Sequence, residues 1–172
     1  MNPDLQLLRQ PSLQKLKELE SVILGAPQFS LLSEGRLPRP EDVNEVLSEL
    51  PPGGRKEQKY VFTINIDDTM IGCAEVIRGW PRIDIGFIGL LMLSEKYQGL
   101  GYGRLSFNEL EKCISTWPEI TRLRLAIVES NKPAFPFWRA LGFNETGERI
   151  ASTKFIADLV YFEKPISPSI SL

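Results

Sequence analysis

Three glycines on alternate positions punctuate the stretch Gln98-Gly99-Leu100-Gly101-Tyr102-Gly103-Arg104, between an apolar run and the start of a helical pattern. Glycine admits positive φ and lets a ligand come close to the main chain, so this spacing presents bare backbone N–H groups. The N-terminus of a following helix adds unpaired donors and a dipole that favours phosphate. The chemistry open to the stretch is therefore anion binding, and a phosphate-bearing cofactor is the ligand expected there. The chain contains no histidine. That removes Ser-His-Asp and Cys-His catalysis and nearly every common zinc or non-haem iron site. Acid–base work falls to Asp, Glu, Tyr, Lys, Cys, a terminus or water. Cys73 and Cys113 make neither a metal spacing nor a disulfide framework, and read as small buried hydrophobes.

The elements that must position this stretch follow from the hydrophobic pattern. With 172 residues and 19.5 kDa the chain suits one domain with a sizeable core. A net charge of −2 with scattered basic residues leaves no electrostatic footprint for nucleic acid. No apolar run approaches the roughly 18 residues that cross a bilayer, and Met1-Asn2-Pro3-Asp4 lacks the features of a signal peptide. The expectation is a cytoplasmic protein with no nucleic-acid or membrane partner. Leu5–Leu8 reads as an edge strand. Ser12 is a plausible N-cap for a helix that carries Leu13, Leu16, Leu19 and Ile23 on one face. Gly25-Ala26-Pro27 stops that helix, and Gln28–Pro40 has little periodicity. A second helix is expected over about Glu41 to Leu50, then an exposed loop over Arg55–Lys59.

Strand character begins at Tyr60, and Asp67-Asp68 turns the chain into a hairpin with Ile71–Ile77. Ile83–Leu93 forms a long strand leading into the glycines, followed by a helix from Tyr102 to about Thr116. A strand around Leu123–Val128, a short helix from about Pro133 to Leu141, and strands centred on Glu148 and on Phe155–Phe162 complete the chain. The order β, α, α, β, β, β, α, β, α, β, β predicts an α/β (α+β) fold with helices on the sheet faces.

Other glycine-rich binders fit poorly. A nucleotide-hydrolase phosphate loop needs Lys-Ser or Lys-Thr after its last glycine, where this chain has Arg104-Leu105. A dinucleotide fingerprint needs Gly-x-Gly-x-x-Gly early in a parallel unit, and here the spacing is Gly-x-Gly-x-Gly after a meander. The stretch Gln98–Gly103 instead resembles the pyrophosphate-binding motif of the GNAT superfamily of acetyl-CoA-dependent N-acetyltransferases. Asn131-Lys132-Pro133-Ala134-Phe135-Pro136-Phe137-Trp138 followed by Gly142-Phe143 is similar to that superfamily's second signature. The resemblance covers about Leu90 to Phe143.

It implies a mixed sheet of about six to seven strands with helices on both faces and a splay between Leu90–Leu93 and Leu123–Val128. It also implies one N-acetyltransferase domain over 1–172: acceptor-side helices about 11–50, an acetyl-CoA-binding core about 60–143 and C-terminal strands about 144–163. Acetyl-CoA (coenzyme A) is the implied co-substrate, with no metal. Pantetheine would pair with the main chain around Leu91, Met92 and Leu93, with the Leu93 amide as oxyanion donor. Gln98, Gly99, Leu100, Gly101, Tyr102, Gly103 and Arg104 would hold the pyrophosphate, and Asn131, Phe137 and Trp138 the pantetheine arm.

The implied reaction is direct attack of a primary amine on the acetyl carbon. Trp138 stands where the superfamily commonly has a thiolate-protonating tyrosine, and indole does not serve as that acid. The usual acidic position is Phe87, so Glu75, Asp84 and Glu129 are the base candidates. The acceptor, a small-molecule or peptide amine, would meet the first two helices, the Gln28–Pro40 loop with Phe29, Arg36 and Arg39, and the final strands. A homodimer is compatible with this reading. The competing function is an acyl-CoA-binding or regulatory protein of the same fold without turnover.

Overall fold

A computed structural model of the chain describes residues 1–169. Its strands are β1 Asp4–Leu7, β2 Lys59–Ile66, β3 Thr69–Arg78, β4 Ile85–Leu93, β5 Arg122–Val128, β6 Asn144–Ile150 and β7 Leu159–Pro165. Its α-helices are α1 Leu13–Leu24, α2 Pro27–Glu34, α3 Asp42–Ser48, α4 Tyr102–Ser115 and α5 Ala134–Ala140. The described strands form one seven-stranded sheet in the order β1-β2-β3-β4-β5-β7-β6. The pair β4–β5 is parallel and the other pairings are antiparallel. The parallel step needs a crossover, and α4 supplies it.

Strand alternation gives the sheet two apolar faces. Ile64, Ala74, Val76, Ile88, Leu93, Leu123, Leu125, Ile127 and Phe162 pack with Phe107, Leu110 and Ile114 of α4. Met70, Cys73 and Met92 pack with Leu19, Val22 and Ile23 of α1 on the opposite face. The Ser12 hydroxyl caps α1 by accepting the Lys15 amide at 3.2 Å. Ser12→Ala is expected to lower stability by about 1 kcal/mol in urea unfolding, with acetyl-CoA affinity unchanged.

The expected hairpin forms, with Ile66 opposite Thr69 and Asp67-Asp68 between them. Two expectations need correction. The stretch after Pro27 is not irregular, because Pro27 opens α2 and Gly35 closes it in the left-handed region at φ +71°. Proline stops one helix by lacking an N–H, but at the first position of the next its fixed φ is favourable. The last strand begins at Leu159 and not at Phe155. The segment before it leaves the ladder, and Ile156 N–H donates to the Ser33 carbonyl of α2 at 3.0 Å.

Candidate active site

The parallel pairing of β4 with β5 runs from Ile85–Arg122 to Ile88–Leu125. Beyond it β4 stays paired to β3 through Leu93, and β5 stays paired to β7 through Val128. Each strand is thus secured on its outer side while the two part from one another. The cause lies at Gly89. Glu75 of β3 faces Leu90, but Val76 faces Ile88, which leaves Gly89 as the extra residue of a bulge. A bulge bends its strand and increases the local twist, turning the end of β4 away from β5.

The ladder also decides which backbone groups face the gap. Ser94 N–H donates to the Ile71 carbonyl at 2.9 Å, which fixes the alternation along β4. Leu90 and Met92 therefore exchange hydrogen bonds with β3, while Leu91 and Leu93 occupy the positions whose N–H and C=O point outward. Gln98 Nε2 donates to the Leu93 carbonyl at 2.8 Å. The Leu93 amide and both backbone groups of Leu91 face the gap, as an added extended partner would require.

The glycine stretch closes one end of this gap. Gly99 and Gly101 have φ of +72° and +87°, and a side chain built at either meets no atom within 4 Å. Gly101 is the N-cap of α4 and carries no side-chain cap, so the helix start is left without a capping side chain. Leu100 and Arg104 are exposed beside them, and Tyr102 packs edge-on against Tyr97 at 6.4 Å. A Cβ at Gly103 would lie 3.1 Å from the Phe137 ring, so this ring forms a wall next to the loop. Asn131 follows β5 across the gap, its amide bound to the Val128 carbonyl at 2.8 Å. Trp138 instead turns into the core, edge-on to Phe107 at 5.7 Å and Phe143 at 5.2 Å. The loop is anchored to the junction of α1 and α2 through Glu95. Its amide reaches the Gly25 carbonyl at 2.8 Å, and its Oε1 accepts the Gln28 amide at 2.8 Å.

The base candidates separate clearly. Asp84 sits at the opposite end of β4, paired with Arg82, whose hydrogen bond holds it below the usual carboxylate range. The structure does not bring it to the gap. Glu129 lies at the end of β5, but it is solvent-facing, and its hydrogen bond from Arg149 lowers its pKa. Glu75 lies beside the bulge with its side chain 15% exposed. Burial pushes its pKa above the usual carboxylate range, while Lys59, 2.7 Å from Oε2, pulls it back.

Sequence reasoning missed Lys59, because the Arg55–Lys59 run reads as a solvated loop. In the fold Lys59 begins β2, and its side chain is 5% exposed. The β6–β7 connection is tied to the α3 region, where Lys154 reaches Glu45 and Glu49 at 3.0 and 2.6 Å. Phe29 packs into the α1 cluster, Arg36 is held by Glu34 and Asp42, and the Arg39 amide donates to Asp42. Packing thus engages the Phe29 ring and ion pairs engage the Arg36 guanidinium, while the exposed Arg39 is tied to Asp42 through its backbone.

Comparison with known proteins gives a family and a fold. The model of the acetyltransferase (GNAT) family matches residues 28–143. No curated protein matches the chain in sequence. Among solved structures, an acetyltransferase from Thermus thermophilus superposes with a TM-score of 0.75 at 22% identity, covering 96% of this chain and 98% of that one. A ribosomal L7/L12 alpha-N-protein acetyltransferase in complex with coenzyme A gives 0.75 at 15% identity, covering 98% and 97%. A spermidine N-acetyltransferase from Vibrio cholerae in complex with CoA and spermine gives 0.71 at 15% identity, covering 97% of each chain.

Proposed function

The chain belongs to the GNAT acetyltransferase family, and on that premise we propose that it moves the acetyl group of acetyl-CoA to a primary amine by direct attack. The observation that carries this reading is the meeting of two features at one gap. Outward-facing backbone groups of Leu91 and Leu93 lie along its side, and the open glycine loop lies at its end. Acetyl-CoA supplies an activated thioester. Amides from Gln98 to Gly103 and the start of α4 hold its pyrophosphate, with Arg104 alongside. Asn131 and Phe137 bound the pantetheine arm.

The arm carries two amides before its sulfur, so it needs pairing stations along β4 before the thioester is reached. Leu93, whose carbonyl touches Gln98 of the loop, serves the arm. Leu91 lies nearer the bulge and Glu75, and its amide is therefore the oxyanion donor in place of the expected Leu93 amide. Glu75 accepts the amine proton, directly or through a water, as the nitrogen bonds to the acetyl carbon. The carbon–sulfur bond breaks with its electron pair on sulfur. Trp138 is packed in the core and donates no proton, so the thiolate leaves as such and takes its proton from water.

A panel of spermidine, free lysine, a peptide with a free N-terminal alanine and a peptide with an internal lysine, each with acetyl-CoA, tests the reading through thiol release. Turnover with one or more amines is the expected result. Tight acetyl-CoA binding with no thiol released across the panel would overturn it in favour of a non-catalytic binder. Gln98→Ala frees the Leu93 carbonyl and is expected to weaken acetyl-CoA binding by about fivefold, near 1 kcal/mol, in calorimetry.

A further inference from the structure

We propose that Lys59 and Gly89 position Glu75 for proton removal, Lys59 by fixing one carboxylate oxygen and Gly89 by leaving room for the other over the bulge. This rests on Glu75 being the base. Two independent features carry it. Lys59 Nζ is 2.7 Å from Glu75 Oε2 and 2.6 Å from the Glu49 carbonyl oxygen, so the ammonium is held between two acceptors. A lysine that is 5% exposed has given up nearly all its water, and these oxygens replace it.

Gly89 is the second feature. Its φ lies outside the left-handed region, so the backbone there does not require glycine. A Cβ at Gly89 would overlap Glu75 Oε1 and approach Cδ to 3.1 Å. What glycine provides is space: Oε1 lies across an exposed residue at the head of the gap, beside the outward-facing Leu91.

The charges around Glu75 are Lys59 from β2, Glu49 from the end of α3 and Lys154 from the β6–β7 connection. On its own strand, burial and the Glu75 charge push the Cys73 thiol up to about 12, so it stays neutral. Lys59 is the cation in contact. When Glu75 takes the amine proton, the ion pair becomes a charged lysine bonded to a neutral carboxyl group. Glu75 then returns the added proton to solvent.

The test follows the Glu75 carboxyl by carbon-13 NMR in protein labelled at its glutamate carboxyls, with Glu75→Gln giving the assignment. The pH profile of kcat/KM is recorded with the fastest amine of the panel, and acetyl-CoA affinity by calorimetry. Lys59→Met is expected to raise the Glu75 midpoint by about one pH unit or more, with the acid limb of kcat/KM moving by the same amount. Gly89→Ala is expected to lower kcat/KM by about tenfold or more with acetyl-CoA affinity unchanged. A purely structural role for Lys59 would lower stability and leave the limb in place. Should Lys59→Met fail to fold, Gly89→Ala still decides, since it sits at an exposed position of ordinary φ. Glu75→Gln at full rate overturns the assignment of the base itself. Loss of activity in Glu75→Gln, with midpoint and limb unmoved in Lys59→Met and full rate in Gly89→Ala, overturns this proposal alone.

Discussion

Glu75→Gln is expected to lower kcat/KM for amine acetylation by about 100- to 1000-fold, within the range a positioned base contributes. Glutamine keeps the shape and an oxygen for Lys59 but takes no proton at useful pH. Acetyl-CoA affinity should stay at the parent value, since Glu75 lies on β3 and belongs neither to the glycine loop nor to the outward-facing groups of Leu91 and Leu93. The pH dependence carries the same signature. Burial is the largest influence on Glu75 and raises its pKa; the Lys59 hydrogen bond opposes it. The ionised base is therefore lost at a higher pH than an ordinary carboxylate would be, and the acid limb of kcat/KM falls above the usual carboxylate range. The linkage to stability has the opposite sense to that of a salt-bridged surface acid. The fold holds this proton more tightly than the unfolded chain does, so the contribution of Glu75 is fully present below its unfolded pKa. It is lost as pH rises through the raised folded value.

Gly101→Val is the second large effect, and it reads the donor site alone. Gly101 holds φ +87° at the N-cap of α4, with open space where a side chain would stand. A non-glycine residue in the left-handed region costs about 1–2 kcal/mol. A β-branched one also projects methyl groups into the space that the pyrophosphate needs. The expected result is a rise of about 100-fold in the acetyl-CoA dissociation constant, from steric exclusion added to loop strain. Calorimetry measures it, with a thermal melt to show that the sheet and α4 remain folded. An unchanged constant would refute the assignment of this loop.

Much of the fold is legible in the sequence because alternating strands and an amphipathic α4 carry strong periodic signals. The glycine spacing and the Asn131–Phe143 stretch likewise point to the donor half of the site. The errors have local causes. Pro27 is both a stop for α1 and a start for α2, and its residue type alone does not say which function prevails. Phe155–Asp158 looks strand-like, but Ile156 leaves the ladder to bond with Ser33, a tertiary contact absent from any local pattern. In the sequence Glu75 stands out from Asp84 only by its apolar neighbours. Register separates them, since one faces solvent at the hairpin end and the other lies over the bulge. Lys59 was hidden because a lysine after Glu57-Gln58 looks solvated, and burial of its ammonium follows only when β2 pairs with β3. Gly89 did leave a signal: glycine inside a strand, here one of two in β4 with Gly86, marks a bulge or a close approach.

The most direct measurement of the central claim is amide hydrogen exchange along β4 with and without saturating acetyl-CoA. Leu91 and Leu93 are expected to slow by about tenfold or more as their outward N–H groups gain a partner, with Met92, already bonded to β3, unchanged. Unchanged exchange at Leu91 and Leu93 under saturation would contradict the placement of the acetyl donor in the β4–β5 gap.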